Sequence, residues 1–176
     1  MGLSASKRVS QSLINSSEFS SACNSTYETS LSLAQHAFPG LKPYQLFSAT
    51  ERLHHTLYTE KSLPLITKWV SSPPSHEQVD RAFKIILRRR SNHPNQASET
   101  DDVVVGIAEF REFGVEVFTD AVVSSARKEL LKKVPIGIAG IAGVGMVVRP
   151  GKEVVGTVIG VYTIGVATAV YLSLAG

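Results

Sequence analysis

The side chains best suited to chemistry in this sequence are five histidines and one cysteine. A histidine can act as general acid, general base or metal ligand, and a cysteine as a nucleophile once it is deprotonated. Spacing counts against both roles. His54 and His55 are adjacent, so on a helix they point about 100° apart and cannot share a metal from one face. The remaining histidines are scattered along the chain. No HExxH, GxSxG, Walker A or helix-opening GxGxxG motif occurs. Cys23 has no partner for an internal disulfide. It reads as a small apolar residue on a helix, in a chain suited to a reducing compartment. The expectation is a non-enzyme with no cofactor.

One backbone group does invite chemistry. The chain opens MGLSAS, which fits M-G-x-x-x-[ST] and marks the Gly2 amine as a myristoylation site once Met1 is removed. Lys7 and Arg8 follow. A single acyl chain holds a bilayer only marginally, and each basic residue near an anionic surface adds roughly 1 kcal/mol at most, so the pair makes a reversible anchor over residues 1–8. The opening lacks the apolar core of a secretory signal. Its first 25 residues hold nine serines, two basic residues and one acid, a composition that also suits organelle import.

The positioning elements follow from periodicity. Leu13, Phe19, Ala22, Cys23, Tyr27, Leu31, Ala34 and Phe38 fall at steps dominated by three and four, predicting one amphipathic helix over 9–38, stopped by Pro39-Gly40. Pro43 opens a second helix to about Leu57, and Leu63 to Val70 a short third with Trp69 as anchor. Ser75 and Gln78 form a capping box ahead of the helix through Val79, Ala82, Phe83 and Ile86. Arg88, Arg89 and Arg90 read as its solvated end, and 88–102 as a flexible loop. A further helix runs from Ile107 to Lys133 and closes on Arg127, Lys128, Lys132 and Lys133, cations favoured by the helix dipole and, at a bilayer, a cytoplasmic-side marker.

Beyond Lys133 the composition changes. Nine of the 13 glycines and only three charged residues lie in 134–176. Val154 to Gly176 is uncharged and as a helix would reach about 34 Å, enough for a hydrocarbon core of roughly 30 Å. The arm 134–148 would reach only about 22 Å. Gly156 and Gly160 set a G-x-x-x-G face for close helix packing, and RPGKE supplies the turn between the arms. The expectation is a glycine-rich helical hairpin, arms 134–148 and 154–176, inserted in a membrane. The alternatives are a soluble segment packed on the helices and a β-hairpin, since Val, Ile, Thr and Tyr suit strands.

Two resemblances bear on function. HEQVDRAFKIIL is similar to the entering helix of an EF-hand, and DDVVVGIAEFREF resembles a decayed EF-hand loop. That likeness implies Asp101 and Glu112 as metal ligands, with Gly106 as the turn glycine. Val103 and Val105 stand where the ion needs oxygens, so calcium affinity should be poor. As a whole, with its MGLSASKRV start, LAQHAFPGLKPYQLF middle and GVATAVYLSL tail, the chain resembles an uncharacterised family of small plant membrane-associated proteins. That resemblance implies location rather than a reaction.

The sequence thus points to an all-α chain: a helical domain over 9–133 followed by the hairpin. Its expected role is that of a non-enzymatic adaptor or scaffold at a cytoplasmic membrane face, with the plasma membrane favoured. The expected partners are membrane lipid, an unspecified protein and a second copy through the C-terminal glycines. A net charge of +3 with no RNP motif or zinc finger argues for no nucleic acid. The alternative role is that of a degenerate EF-hand calcium-responsive protein.

Overall fold

The structure is a computed structural model that describes residues 2–34, 38–61, 63–91, 103–148 and 152–173, with side-chain surroundings for 5–34, 38–61, 63–91, 103–132, 161–170 and 172. The described residues are mostly helical and contain no strand, consistent with an all-α chain. The order is α1 (Gly2–Ile14), α2 (Ser17–Leu33), a 3-10 turn (Pro43–Gln45), α3 (Leu46–Thr59), α4 (Pro64–Trp69), α5 (His76–Ser91), α6 (Ile107–Val148) and α7 (Lys152–Ser173).

α6 is the mast of the fold. Its first half buries Phe110, Phe113, Val117, Phe118 and Val122, a stripe wide enough to take helices on several sides. α1, α2, α4, α5 and α7 all pack against it. Phe19 of α2 meets the Phe118 ring edge-on, with centroids 6.0 Å apart, and Tyr27 lies against Phe110 at 5.8 Å. Gly114 faces Cys23, Phe19 and Leu53 at van der Waals distance, so α2 and α3 close on α6 where it has no side chain.

The single helix expected over 9–38 is two. α1 ends at Ile14, and Ser16 caps α2 by accepting the Phe19 N–H at 3.0 Å. A serine able to satisfy an orphan amide makes the break cheap, and the turn redirects Leu13 and Phe19 onto one core. Residues 2–8 form the first turns of α1, where Ala5 and Val9 join Leu13 in the interior. The box at Ser75 forms as expected: Gln78 N–H donates to Ser75 Oγ at 3.4 Å, and Ser75 N–H donates to Gln78 Oε1 at 3.0 Å.

The boundary expected after Lys133 is absent. α6 runs unbroken through Pro135 to Val148, so 134–148 is the far end of the mast and not a separate arm. A shift from charged to apolar composition is not a helix stop. An interior proline costs about 3 kcal/mol, and α7 packed along α6 can offset it. One helix ends at Val148 and the next starts at Lys152. With so few residues between them, α7, which packs on α6, can only run back along it. Over its 22 residues α7 travels about 33 Å, which brings it back to the level of Ala126–Leu130 and places Val170 in the main core. The spanning segment expected over 154–176 finds no support. Among the described residues no helix is long and apolar enough to cross a membrane.

Candidate functional site

Two helix–loop–helix units meet at their loops. α2 leads to Leu41 and on into α3, while α5 leads to Val105 and on into α6. Leu41 and Val105 form an antiparallel bridge. The residue after each bridge position then repeats one device. Lys42 N–H donates to Gln45 Oε1 at 2.8 Å, and Gly106 N–H donates to Glu109 Oε2 at 3.1 Å. In both units a side chain three residues on satisfies an orphan amide at the start of the outgoing helix. Gly40 is needed at this junction. A Cβ there would lie 2.5 Å from Val104 Cγ1 and 2.6 Å from the Val105 oxygen. Tyr27 Oη donates to the same Val105 carbonyl at 3.4 Å, and burial pushes its hydroxyl up from the ordinary value.

This geometry corrects the register of the EF-hand likeness. In a calcium loop the carboxylate at the twelfth position opens the outgoing helix. Glu109 does that here and Glu112 does not: Glu112 lies a turn further along α6, exposed, on the rim of a groove. The other expected ligand, Asp101, lies outside the described residues. Among the described residues no three His, Cys, Asp or Glu side chains gather as a metal would require. The first unit is poorer still, since residues 34–45 contain no acid.

What α5 presents to α6 is a ladder of arginines. Arg81 reaches Asp120 Oδ2 at 2.9 Å, Arg89 pairs with Glu116, and Arg90 Nε lies 3.5 Å from Glu109 Oε1. Arg90 also donates from Nη1 to the Val104 carbonyl at 3.4 Å. The Arg88-Arg89-Arg90 cluster is therefore not simply a solvated helix end, because two of its members bind the mast. An acid at i, i+7 and i+11 on α6 was the signal: Glu109, Glu116 and Asp120 share one face.

The groove, of about 600 Å³, lies between α1, α2 and α6, with Leu13, Ile14, Phe19 and Val115 as its apolar lining and Arg89 and Arg111 among its polar groups. Arg111 Nε donates to Asn24 Oδ1 at 2.8 Å. Cys23 is buried nearby, and burial pushes its thiol up to about 12 against the opposing pull of Arg111, so no thiolate is available near neutrality. Of the histidines, His54 is interior, its Nε2 donating to the Val70 carbonyl at 2.8 Å and its ring stacked on Phe118. His76 stacks on Phe47.

The remaining expected site residues scatter. Gly2 opens α1. Lys7 is exposed and Arg8 half-buried on the same helix. Lys132 is exposed on α6, with Lys133 one residue on in the same helix. Gly156 and Gly160 fall within α7, in the portion whose surroundings lie outside the described residues. Further along α7 a feature emerges that the glycine spacing did not signal. Val161, Ile164 and Leu172 are 66%, 69% and 61% exposed, while Val170 is 8% exposed. At 100° per residue the first three fall within an arc of about 80°, and Val170 points the opposite way.

No protein-family model, curated protein or solved structure matches this chain.

Proposed function

We propose that this chain is a non-enzymatic adaptor that docks on a membrane face through the outward side of α7. The observation that carries the reading is the exposed face of Val161, Ile164 and Leu172 on a helix that is uncharged beyond Glu153. Large apolar side chains aligned on one exposed face mark a lipid or protein contact. Leu131 of α6 is another large apolar side chain left exposed, at 73%. Arg127, Lys128 and Lys132 flank it and are exposed, and each cation near an anionic bilayer contributes roughly 1 kcal/mol. The docking is interfacial, with the face lying along the headgroups and Val170 turned to the protein. Myristoylation of Gly2 would add a second, reversible contact. The helical domain is then the part presented to a protein partner at the cytoplasmic face, with the plasma membrane favoured for its anionic lipid.

Flotation of the full chain with vesicles tests this. The protein should float with vesicles containing phosphatidylserine and stay behind with neutral ones at moderate salt. Val161→Asp, Ile164→Asp and Leu172→Asp together should abolish flotation while leaving the helical content unchanged. Equal flotation of the triple variant would refute the docking face. Lipid-independent dimers lost in that variant would instead identify the face as a contact between copies.

The second reading, a calcium-responsive protein, draws on the bridged pair of helix–loop–helix units, which resembles a paired EF-hand. Its weakness is chemical: one loop has no acid, and the key carboxylate of the other is already engaged.

A further inference from the structure

Among the described residues, Glu109 and the Val104 carbonyl are two of the oxygens that the corrected register assigns to a calcium ion. They stand at the twelfth position, which gives a carboxylate, and the seventh, which gives a backbone oxygen. Both face the same group. Arg90 Nη1 donates to Val104 O at 3.4 Å, and Arg90 Nε lies 3.5 Å from Glu109 Oε1. The guanidinium is well shielded, with side-chain exposures of 24% for Arg90 and 28% for Glu109, and its Nε is buried without a hydrogen-bond partner of its own. A cation partly shielded from water is favoured where an anion or a carbonyl faces it, and this one faces both.

We propose that the Arg90 guanidinium is the resident cation of the second helix–loop–helix unit, standing where calcium would sit and holding the bridged loop pair in its joined form without metal. The consequence follows from the chain order. Arg90 is in the last turn of α5, Glu109 in the first turn of α6, and Val104 directly precedes the bridge residue Val105. One side chain thus ties the incoming helix, the loop and the outgoing helix together, the task an ion performs in a metal-loaded loop. Glu109 is held for it, because its second oxygen accepts from Gly106 N–H. Arginine suits the place better than lysine, since its fork meets a carboxylate and a carbonyl at once and never loses its charge. The inference rests on the helix–loop–helix likeness for the ion's place and is independent of membrane docking.

The test uses the full chain, with calcium chloride as titrant and amide exchange at Leu41 and Val105 as the local readout. Wild type should give no binding heat at millimolar calcium and no calcium-dependent change in exchange. Arg90→Gln removes the charge and shortens the side chain, and Glu109→Gln keeps an oxygen for Gly106 N–H. Each should speed exchange at the bridge severalfold, and the double variant should exchange no faster than either alone. Should Arg90→Gln fail to fold, Arg90→Lys should fold and protect the bridge to an intermediate degree. Calcium heat in wild type would overturn the assignment while leaving the EF-hand likeness standing. Unchanged exchange in Arg90→Gln and Arg90→Lys, or additive effects of the two glutamine variants, would overturn the assignment with no calcium site to replace it.

Discussion

Leu41 and Val105 bond each other in both directions: Leu41 N–H donates to the Val105 carbonyl at 3.0 Å, and Val105 N–H to the Leu41 carbonyl at 2.8 Å. This one rung couples the chain entering α3 to the chain entering α6, and Gly40 passes so close to Val104 and Val105 that no side chain fits. Gly40→Ala forces a Cβ against backbone and a branched side chain, neither of which yields easily. It should destabilise the protein by about 1–3 kcal/mol, read as a fall in the thermal midpoint and as loss of exchange protection at Leu41 and Val105.

Gly114 should behave in the opposite sense. It is buried inside α6, and a Cβ there would touch Cys23 Sγ and Phe19 Cζ at 3.4 Å and Leu53 Cδ2 at 3.5 Å, ordinary contact distances. Alanine is favoured over glycine in a helix by up to about 1 kcal/mol. Gly114→Ala should therefore raise the thermal midpoint by roughly 2–4 °C for a chain of this size. A fall would show that α2 and α3 cannot accept the methyl group.

Ser16→Ala removes the cap of α2 and leaves the Phe19 amide unsatisfied. The expected loss is about 1 kcal/mol, measured by urea unfolding with an unchanged slope. Ser16→Asp restores an acceptor and should recover most of it.

The Cys23 thiol sets an alkaline limit. Its folded value is pushed by burial from the ordinary 9.0 to about 12. Above pH 9 the unfolded chain loses this proton first, so the folded state binds more protons and stability falls with rising pH between about 9 and 12. Tyr27, also raised by burial, acts in the same direction from its ordinary 10.0 upward. The thermal midpoint should drop across this range, and Cys23→Ala should lessen the drop. Iodoacetamide at pH 8 should modify Cys23 only after denaturation.

Much of the fold was legible in the sequence wherever local chemistry was decisive. Pro43, Ser75 with Gln78, and the stripe of Phe110, Phe113 and Val117 each declare an element through capping or periodicity. The break at Ser16 was missed because the steps of three and four from Phe19 onward outweighed the single step of six between Leu13 and Phe19, which is out of helical phase. The boundary expected after Lys133 erred in the other direction, since a change from charged to apolar composition stops no helix and α6 runs on to Val148 with α7 packed along it. The candidate site was less legible. Arg90 and Glu109 meet through folding and not through spacing, and the carboxylate at the start of α6 is Glu109, three residues before the Glu112 that a count from Asp101 reached. The exposed side of α7 could not be read, because Val161 and Val170 are the same residue type and only burial separates them.

The most direct test of membrane docking is a reporter on that exposed side. Because Cys23 is buried and unreactive, a cysteine replacing Ile164 can be labelled selectively with an environment-sensitive dye in the folded, full-length protein. On adding phosphatidylserine vesicles the emission should shift to the blue and gain intensity, with no such shift on neutral vesicles. A Leu33→Cys control on α2, also exposed, should stay unchanged. An Ile164 reporter that remains in a water-like environment on saturating anionic vesicles would contradict the docking of α7 on a membrane.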